Sequence, residues 1–227
     1  MNPLSTSRNK YTQNIKNSTV FTPPGVAQYI YDKAVKPLYD YWMVYNPNPI
    51  FNVLDPAIGT GNLVKPLIKE WEERKVHITG YDIDDWSPKP CDDFFRTNFM
   101  AMDQRLARKP NLIIANPPFN TDIRNRDWLK AHKMGKALLP EVFTDKIFEL
   151  YPKVPMIMIS PMGYILNQRK KSDRWKKYSK DQENKISSIM MLPLDAFAGV
   201  EFHVCVICFN FPKGLLEPFY WFEEKYL

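Results

Sequence analysis

Several features that mark large classes of protein are scarce or missing in this sequence. Only three cysteines occur in 227 residues, and they form an odd set. Cys205 and Cys208 have CxxC spacing, but no second pair exists that would complete a zinc site. In a strand, residues i and i+3 also point to opposite faces. We therefore predict that both cysteines pack in the core, and we predict no metal centre.

Long apolar runs are missing as well. No segment approaches the roughly 18 apolar residues that a membrane-spanning helix requires, and the first residues lack the regions of a signal peptide. Internal repeats and low-complexity tracts are also absent from the sequence. These absences favour an intracellular, cytoplasmic protein without a membrane partner.

The composition suits one well-buried domain. Hydrophobic residues make up 44% of the 227 residues. The formal charge of +6 and the pI near 9.0 suit a phosphate-rich partner, although many soluble proteins reach these values without one. Residues 1–19 are polar and lack periodicity, which predicts a flexible N-terminal arm.

A short apolar run followed by two prolines is the most informative stretch. Residues 111–115 read as a parallel strand buried on both faces, and the strand ends at Asn116. Asn116 and the carbonyl of Pro117 are two acceptors close together, Pro118 stiffens the segment, and Phe119 adds a flat apolar face. This arrangement suits an aromatic amine. A turn that merely ends a strand is the equally weighted alternative.

A glycine-bearing turn follows the first predicted strand. The strand covers residues 50–55, the turn DPAIGTG covers residues 55–61, and a helix is predicted over 62–73. A carboxylate or a phosphate would fit the turn. Asp82 ends the second strand, about 20 residues later, where nucleotide-binding α/β folds accept ribose hydroxyls. Asp84 is better explained as part of a solvated acidic turn.

Alternating strands and helices predict an α/β fold with a mostly parallel sheet. The seven predicted strands are 50–55, 76–81, a short one within 92–100, 111–115, 154–160, 186–192 and 203–211. The last two are expected to form an adjacent antiparallel pair at the sheet edge. Helices are predicted from Val26, ended or kinked by Pro37, and over 141–151. The last residues, 217–227, are expected to pack back on the body.

Two basic segments have two possible explanations each. Residues 120–140 carry five lysines and arginines around Trp128, and residues 167–185 form the densest basic stretch of the chain. Each segment either contacts a phosphate backbone or is a solvated face.

The ordered set of motifs resembles the S-adenosylmethionine-dependent N6-adenine DNA methyltransferases. The motifs are VFTPPGVAQYI, DPAIGTGNL, GYDID, TNF, NLIIANPPF and a final LPxxxF with its strand, and they span residues 20–211. Their order, with TPP first, is similar to the gamma class. The resemblance implies a Rossmann-like seven-stranded sheet, mostly parallel with an antiparallel edge strand and helices on both faces. It also implies a single catalytic domain over 20–227.

The resemblance also implies the cofactor and the residues that bind it. S-adenosylmethionine would lie against Thr22 of the TPP segment, the glycine turn, the end of the second strand and the TNF motif. The implied residues are Thr22, Asp55, Ala57, Gly59, Gly61, Asp82, Ile83, Asn98 and Phe99. Asn98 stands where the family usually has Asp, and its carbonyl can still pair with the adenine amino group of the cofactor.

The same resemblance implies how a flipped adenine would be held. Asn116 and the Pro117 carbonyl would accept from its amino group, and Phe119 and Phe197 would cover its two faces. DNA is the implied substrate, and restriction-modification is the implied context. Alternatives are an RNA adenine or protein-glutamine methyltransferase and a non-catalytic, nucleic-acid-binding subunit. No separate target-recognition domain follows Phe211, so the basic segments or a second protein subunit would supply recognition, if it occurs at all.

Overall fold

The computed structural model describes most of the chain between residues 20 and 226. The described residues are 20–46, 50–68, 73, 75–86, 91–103, 105–119, 139–163, 184–197, 200 and 203–226. The predicted N-terminal arm and most of both basic segments lie outside these residues, as do residues 198–199 and 201–202 beside Phe197.

One mixed sheet forms the centre of the fold, in the order β3-β2-β1-β4-β5-β7-β6-β8. Its strands are β1 Phe51–Asp55, β2 Val76–Asp82, β3 Asp93–Arg96, β4 Leu112–Ala115, β5 Met156–Pro161, β6 Ile186–Met191, β7 Val204–Phe209 and β8 Phe219–Tyr220. Strands β1 to β5 run parallel, and β7 is antiparallel to both β5 and β6.

The predicted fold class is confirmed, with two differences of detail. The sheet has eight strands instead of seven, because the two-residue β8 pairs parallel with β6. The antiparallel strand, β7, lies inside the sheet between β5 and β6 and is not the outermost strand. A two-residue strand leaves almost no periodic signal in a sequence, which explains why β8 was not predicted.

Side chains alternate between two apolar layers, one on each face of the sheet. In β4, Ile114 belongs to one layer and Ile113 to the other. Cys208 and Cys205 are divided in the same way, so the prediction of opposite faces and core packing is confirmed. Both thiols are buried, and neither forms a disulfide.

Helices cover both faces of the sheet. A first helical segment consists of α1 Pro24–Ile30, a π-helical turn Tyr31–Val35, and α2 Lys36–Tyr45. It packs in the layer of Ile114, whereas α3 Leu139–Leu150 packs in the layer of Ile113. Within the described part of the chain, no helix combines the length and the apolar character needed to cross a bilayer.

Pro37 was expected to end or kink the first helix. The helix does not end there, so the first of these two expectations is wrong. The helical segment continues through Pro37 to Tyr45. The π-helical turn just before Pro37 shifts the hydrogen bonding by one residue, so that the Lys36 N–H bonds the Tyr31 carbonyl. A π-turn widens the helix locally, and this accommodates the ring where an N–H is missing.

The segment after the glycine turn is less regular than predicted. Within residues 62–68 it forms turns and a short 3-10 helix, Lys65–Leu67, instead of an α-helix from Asn62. The rest of that predicted helix falls largely on residues 69–72, which lie outside the described residues, and Glu73 is in a turn.

The C-terminal segment, residues 213–226, packs back on α1 and the π-helical turn. The Tyr29 hydroxyl donates to the Trp221 carbonyl over 3.1 Å, and the Tyr226 hydroxyl donates to Asp32 Oδ2 over 2.8 Å. A Cβ added at Gly25 would lie 1.8 Å from the Tyr226 carbonyl oxygen. Gly25 therefore permits a backbone contact that no other residue would allow without displacement.

Candidate functional site

A cleft opens at the carboxyl ends of the parallel strands. Its empty volume is about 840 Å³, counting the part open to solvent. Asp55 ends β1, Asp82 ends β2, and Asn116 follows β4, and all three line the cleft. Ligands of open α/β sheets bind at such an edge.

The glycine turn is fastened to the end of β2. Asp82 accepts from the Gly59 N–H through Oδ2 and from the Asp84 N–H through Oδ1, each over 2.9 Å. The Ile58 N–H donates to the Tyr81 carbonyl over 2.9 Å. Gly59 has φ +51°, in the left-handed region that favours glycine. The sequence therefore forms a rigid turn with an acidic residue beside it.

Asp55 is a buried carboxyl group at the floor of the cleft. It is 1% exposed, and its Oδ1 accepts from the Ala57 N–H over 3.0 Å. Burial raises the pKa of Asp55 to about 8, and the charge of Asp82 adds to the increase. A cationic ligand group beside this carboxylate would compensate for its lost hydration. The site therefore suits a ligand that carries an ammonium group.

Asn98 and Phe99 form another part of the wall. The Asn98 side chain accepts from the Met100 N–H over 3.1 Å and so caps a 3-10 turn, Phe99–Ala101. Phe99 is 2% exposed, and its ring is stacked at 6.1 Å on that of Phe143. Both predicted residues reach the cleft, but the Asn98 carbonyl also holds the backbone there.

Asn116 has a defined amide orientation. Its Nδ2 donates to the Val20 carbonyl over 2.9 Å and to the Thr22 Oγ1 over 3.0 Å. Its Oδ1 is buried and has no hydrogen-bond partner among the described residues. Unsatisfied buried polar atoms are rare in proteins and often occur at functional sites. Asn116 thus lines the cleft and carries an acceptor without a partner among the described residues.

Phe119 and Phe197, predicted to cover the two faces of a base, lie in contact with each other. Their ring centroids are 6.4 Å apart at an interplanar angle of 75°, and each ring is 2% exposed. A base enclosed between two parallel rings needs about 7 Å between their planes, twice the stacking distance implied by van der Waals contact. These rings must turn and separate before a base can enter.

The structure brings most of the predicted site residues together. The cleft is lined by Thr22, Asp55, Ala57, Gly59, Asp82, Ile83, Asn98, Phe99, Asn116 and Pro118. Gly61, Pro117, Phe119 and Phe197 are not among the described lining residues. Gly61 instead shapes the turn, since its carbonyl accepts from Val64 and Lys65. Asp84, assigned to a solvated turn, does line the cleft.

Three aromatic residues of the cleft were not predicted: Phe21, Trp86 and Phe143. Phe21 and Trp86 meet edge to face at 5.2 Å, and the Phe21 ring lies over Gly59. Phe21 adjoins the TPP motif and Trp86 follows GYDID, so their positions next to motifs were a usable signal. Phe143 lies on α3, and its place depends on how that helix packs.

No family model and no curated protein matches the chain. Solved structures with a similar fold were found. A chain from Listeria monocytogenes described as a class I S-adenosylmethionine-dependent methyltransferase has a TM-score of 0.60 and 17% identity; the match covers 88% of this chain and 64% of that one. The methyltransferase subunit of a type I restriction-modification system from Streptococcus thermophilus has a TM-score of 0.60 and 15% identity, covering 86% and 45%.

The type ISP restriction-modification enzyme LlaGI, solved with a DNA substrate mimic, is also similar. Its TM-score is 0.60 at 12% identity, and the match covers 91% of this chain and 28% of that one. The chain therefore spans 64%, 45% and 28% of the lengths of these three structures.

The fold is that of class I S-adenosylmethionine-dependent methyltransferases, as the resemblance in the sequence implied. Among the structures that share it are methyltransferase subunits of restriction-modification systems.

Proposed function

We propose that the protein transfers a methyl group from S-adenosylmethionine to the exocyclic amino nitrogen of adenine in DNA, with the base flipped out of the duplex. The observation that carries this proposal is the oriented amide of Asn116. Its Nδ2 is engaged by Val20 and Thr22, so its free acceptor, Oδ1, is available to an amino group. Asn116 follows β4 and lines the cleft, which supports this role for its acceptor.

The residues of the cleft fit the groups of the cofactor. In this proposal the Asp55 carboxylate takes the ammonium group, whose charge would offset the burial that raises the pKa of Asp55, and Thr22 and the glycine turn take the carboxylate of the cofactor. Asp82 takes the ribose hydroxyls, and Ile83, Asn98 and Phe99 surround the adenine. When bound, the cofactor supplies an electrophilic methyl group on a sulfonium.

The remaining chemistry is mainly a matter of positioning. A bond forms between the amino nitrogen and the methyl carbon as the carbon–sulfur bond breaks, and the amine then releases a proton to solvent. Asn116 Oδ1 and the Pro117 carbonyl would accept both amino hydrogens, which turns the nitrogen lone pair out of the ring plane. Pro118 fixes this segment, and Phe119 and Phe197 would stack on the base after they separate.

DNA is preferred as the substrate because two observations agree. The excess of 31 basic over 25 acidic residues suits a polyanion. The similar enzyme LlaGI was solved with a DNA substrate mimic. We also propose that a second protein subunit contributes to target recognition, since the match covers only 45% of the type I methyltransferase subunit with the same fold.

The test is transfer of labelled methyl groups to unmodified DNA and to RNA, followed by digestion and identification of the nucleoside. We expect N6-methyladenine in DNA. Asn116→Ala should lower the rate at least 100-fold, because both the acceptor and the position of the amine are lost. Asn46→Ala is the matched control, since its amide donates to the Trp42 carbonyl at the end of α2 and Asn46 does not line the cleft described above.

Three other results would change the assignment. Label in RNA alone would replace the substrate and retain the chemistry. Label in protein glutamine would have the same effect. If the cofactor binds but no substrate is labelled, even with cellular partner proteins added, the protein is a non-catalytic subunit.

A further inference from the structure

We infer that Thr22, together with the Val20 carbonyl, is a positioning residue that fixes the direction of the Asn116 amide. This inference rests on the proposed function and adds a second role for Thr22, whose first proposed role is in cofactor binding. The two atoms accept the two Nδ2 hydrogens over 3.0 Å and 2.9 Å. Both hydrogens of the amide nitrogen therefore have acceptors on the segment Val20–Thr22, which we call the N-terminal strap.

The direction of this amide decides whether the site can bind an amine. An asparagine side chain can present either its carbonyl or its NH₂ to a ligand after a half-turn of the amide. A target amino group is a donor, so it bonds only the carbonyl. In the opposite orientation Asn116 would place its NH₂ against the amine, and its Oδ1 would face the Val20 carbonyl, with no hydrogen between the two oxygens. The Val20 carbonyl excludes this orientation because it can only accept, and the Thr22 hydroxyl accepts the second Nδ2 hydrogen in the orientation that remains.

The strap is itself held in place by the glycine turn and the residue after it, on the side of the cleft where the cofactor is proposed to bind. Asn62 Nδ2 donates to the Thr22 carbonyl over 3.1 Å, and Asn62 follows the glycine turn directly. The Phe21 ring lies 3.4 Å from the position of a Cβ on Gly59. Thr22 is 3% exposed, so its hydroxyl has little freedom to leave Asn116 for water.

The Thr22 hydroxyl connects the two halves of the site. Its oxygen accepts from Asn116, and a hydroxyl that accepts still has one hydrogen to donate. In the proposed complex that hydrogen bonds the carboxylate of the cofactor, since Thr22 also lines the cleft. A hydroxyl that donates to an anion becomes a better acceptor, because hydrogen bonds in a chain polarise one another. Cofactor binding thereby strengthens the orientation of the amide that receives the substrate.

The first test compares Thr22→Val with Thr22→Ser in steady-state methyl transfer. Valine keeps the shape and removes the acceptor, whereas serine keeps the hydroxyl. We expect Thr22→Val to lower kcat about 10- to 100-fold at saturating cofactor, and Thr22→Ser to remain within about three-fold of the wild type. A residue that only bound the cofactor would raise KM for the cofactor and leave kcat unchanged, and that result would overturn the inference.

A double-mutant cycle adds a control for indirect effects. Because Thr22 is inferred to act through Asn116, Thr22→Val should lower kcat no further in the Asn116→Ala background. Full additivity of the two losses would contradict this. If the valine variant does not fold, Thr22→Cys serves in its place, since sulfur is a weak acceptor in a side chain of similar size.

A second readout does not depend on activity. The NH₂ signal of Asn116 in the ¹⁵N spectrum, assigned from its loss in Asn116→Ala, should be protected from hydrogen exchange in the wild type. Its exchange should become about five-fold faster in Thr22→Val. If the wild type transfers no methyl group to any substrate, the proposed function has failed, and this measurement still decides the orientation. Unchanged exchange would overturn the inference.

Discussion

At the scale of the residue, the contact proposed between Asp55 and the cofactor would make cofactor binding depend on pH. Its pKa of about 8 means that the group is largely protonated in the free protein at neutral pH. Only the carboxylate attracts the ammonium group of the cofactor. We expect the affinity for S-adenosylmethionine to rise nearly ten-fold per pH unit between pH 6 and 7.5, as measured by calorimetry, with one proton released on binding.

Asp55→Asn provides the control for this dependence. Asparagine is similar in size and does not titrate, so the variant should bind weakly and its affinity should vary little over the same pH range. A wild-type affinity that does not change from pH 6 to 7.5 would contradict the proposed contact between Asp55 and the ammonium group.

Asp55 also makes the stability of the free protein depend on pH. Cofactor affinity should rise with pH, whereas the contribution of Asp55 to stability falls. Between its usual pKa of 3.8 and the folded pKa of about 8, the folded state holds a proton that the unfolded state has lost. The contribution of Asp55 to the free energy of unfolding is therefore fully present below pH 3.8 and decreases as the pH rises to about 8. In Asp55→Asn this contribution to the pH dependence should vanish from denaturant unfolding curves.

At the scale of the element, the contact between α1 and the C-terminal segment depends on one glycine. In Gly25→Ala, the new Cβ would lie 1.8 Å from the Tyr226 carbonyl oxygen, so one of the two backbones must move. We expect a loss of about 1–3 kcal/mol in the free energy of unfolding, measured with urea. Gly163→Ala is the matched control, because its Cβ would have no neighbour within 4 Å in the described part of the chain.

The control should unfold within about 1 kcal/mol of the wild type, or be slightly more stable. If Gly25→Ala is as stable as Gly163→Ala, the C-terminal segment does not lie against α1 as described. Since α1 follows the N-terminal strap directly, a displaced segment should also weaken cofactor binding.

The sequence predicted the elements whose signals are local. Runs such as residues 111–115 are apolar because both faces of the strand are buried, and the glycine turn needs residues that accept positive φ. The path through Pro37 was not predictable in this way, because the π-helical turn that accommodates the ring leaves no recognisable pattern in the sequence.

The site shows the same division between local and long-range signals. Asn116 and Asp82 were predicted because each ends a recognisable strand. Phe143 was not, since 88 residues separate it from Asp55 and only the docking of α3 brings it to the cleft. The bonds from Asn116 to the strap join residues 94 and 96 positions apart, so no local pattern could indicate the amide direction.

At the scale of the whole molecule, the buried thiols report on the integrity of both apolar layers. Burial raises the pKa of Cys205 to about 12 and raises that of Cys208 as well, so neither forms the reactive thiolate. In the native protein we expect a thiol reagent to modify only Cys91, which is half-buried. All three thiols should react in denaturant.

Cys91→Ser is the control for this count, and its native state should show no rapid modification. Rapid reaction of two or three thiols in the native wild type would mean that the sheet opens readily. Because Cys205 and Cys208 face different layers, their separate rates would also show whether the two layers open together.

The contact of the C-terminal segment with α1 has a consequence for folding during synthesis on the ribosome. Tyr29 and Trp221 are 192 residues apart, and Asp32 and Tyr226 are 194 apart. At synthesis rates of about 5–20 residues per second, roughly 10–40 s separate the emergence of the two partners. Throughout that interval the apolar surface of α1 lacks part of its cover, and a nascent chain in this state is a natural client for a chaperone.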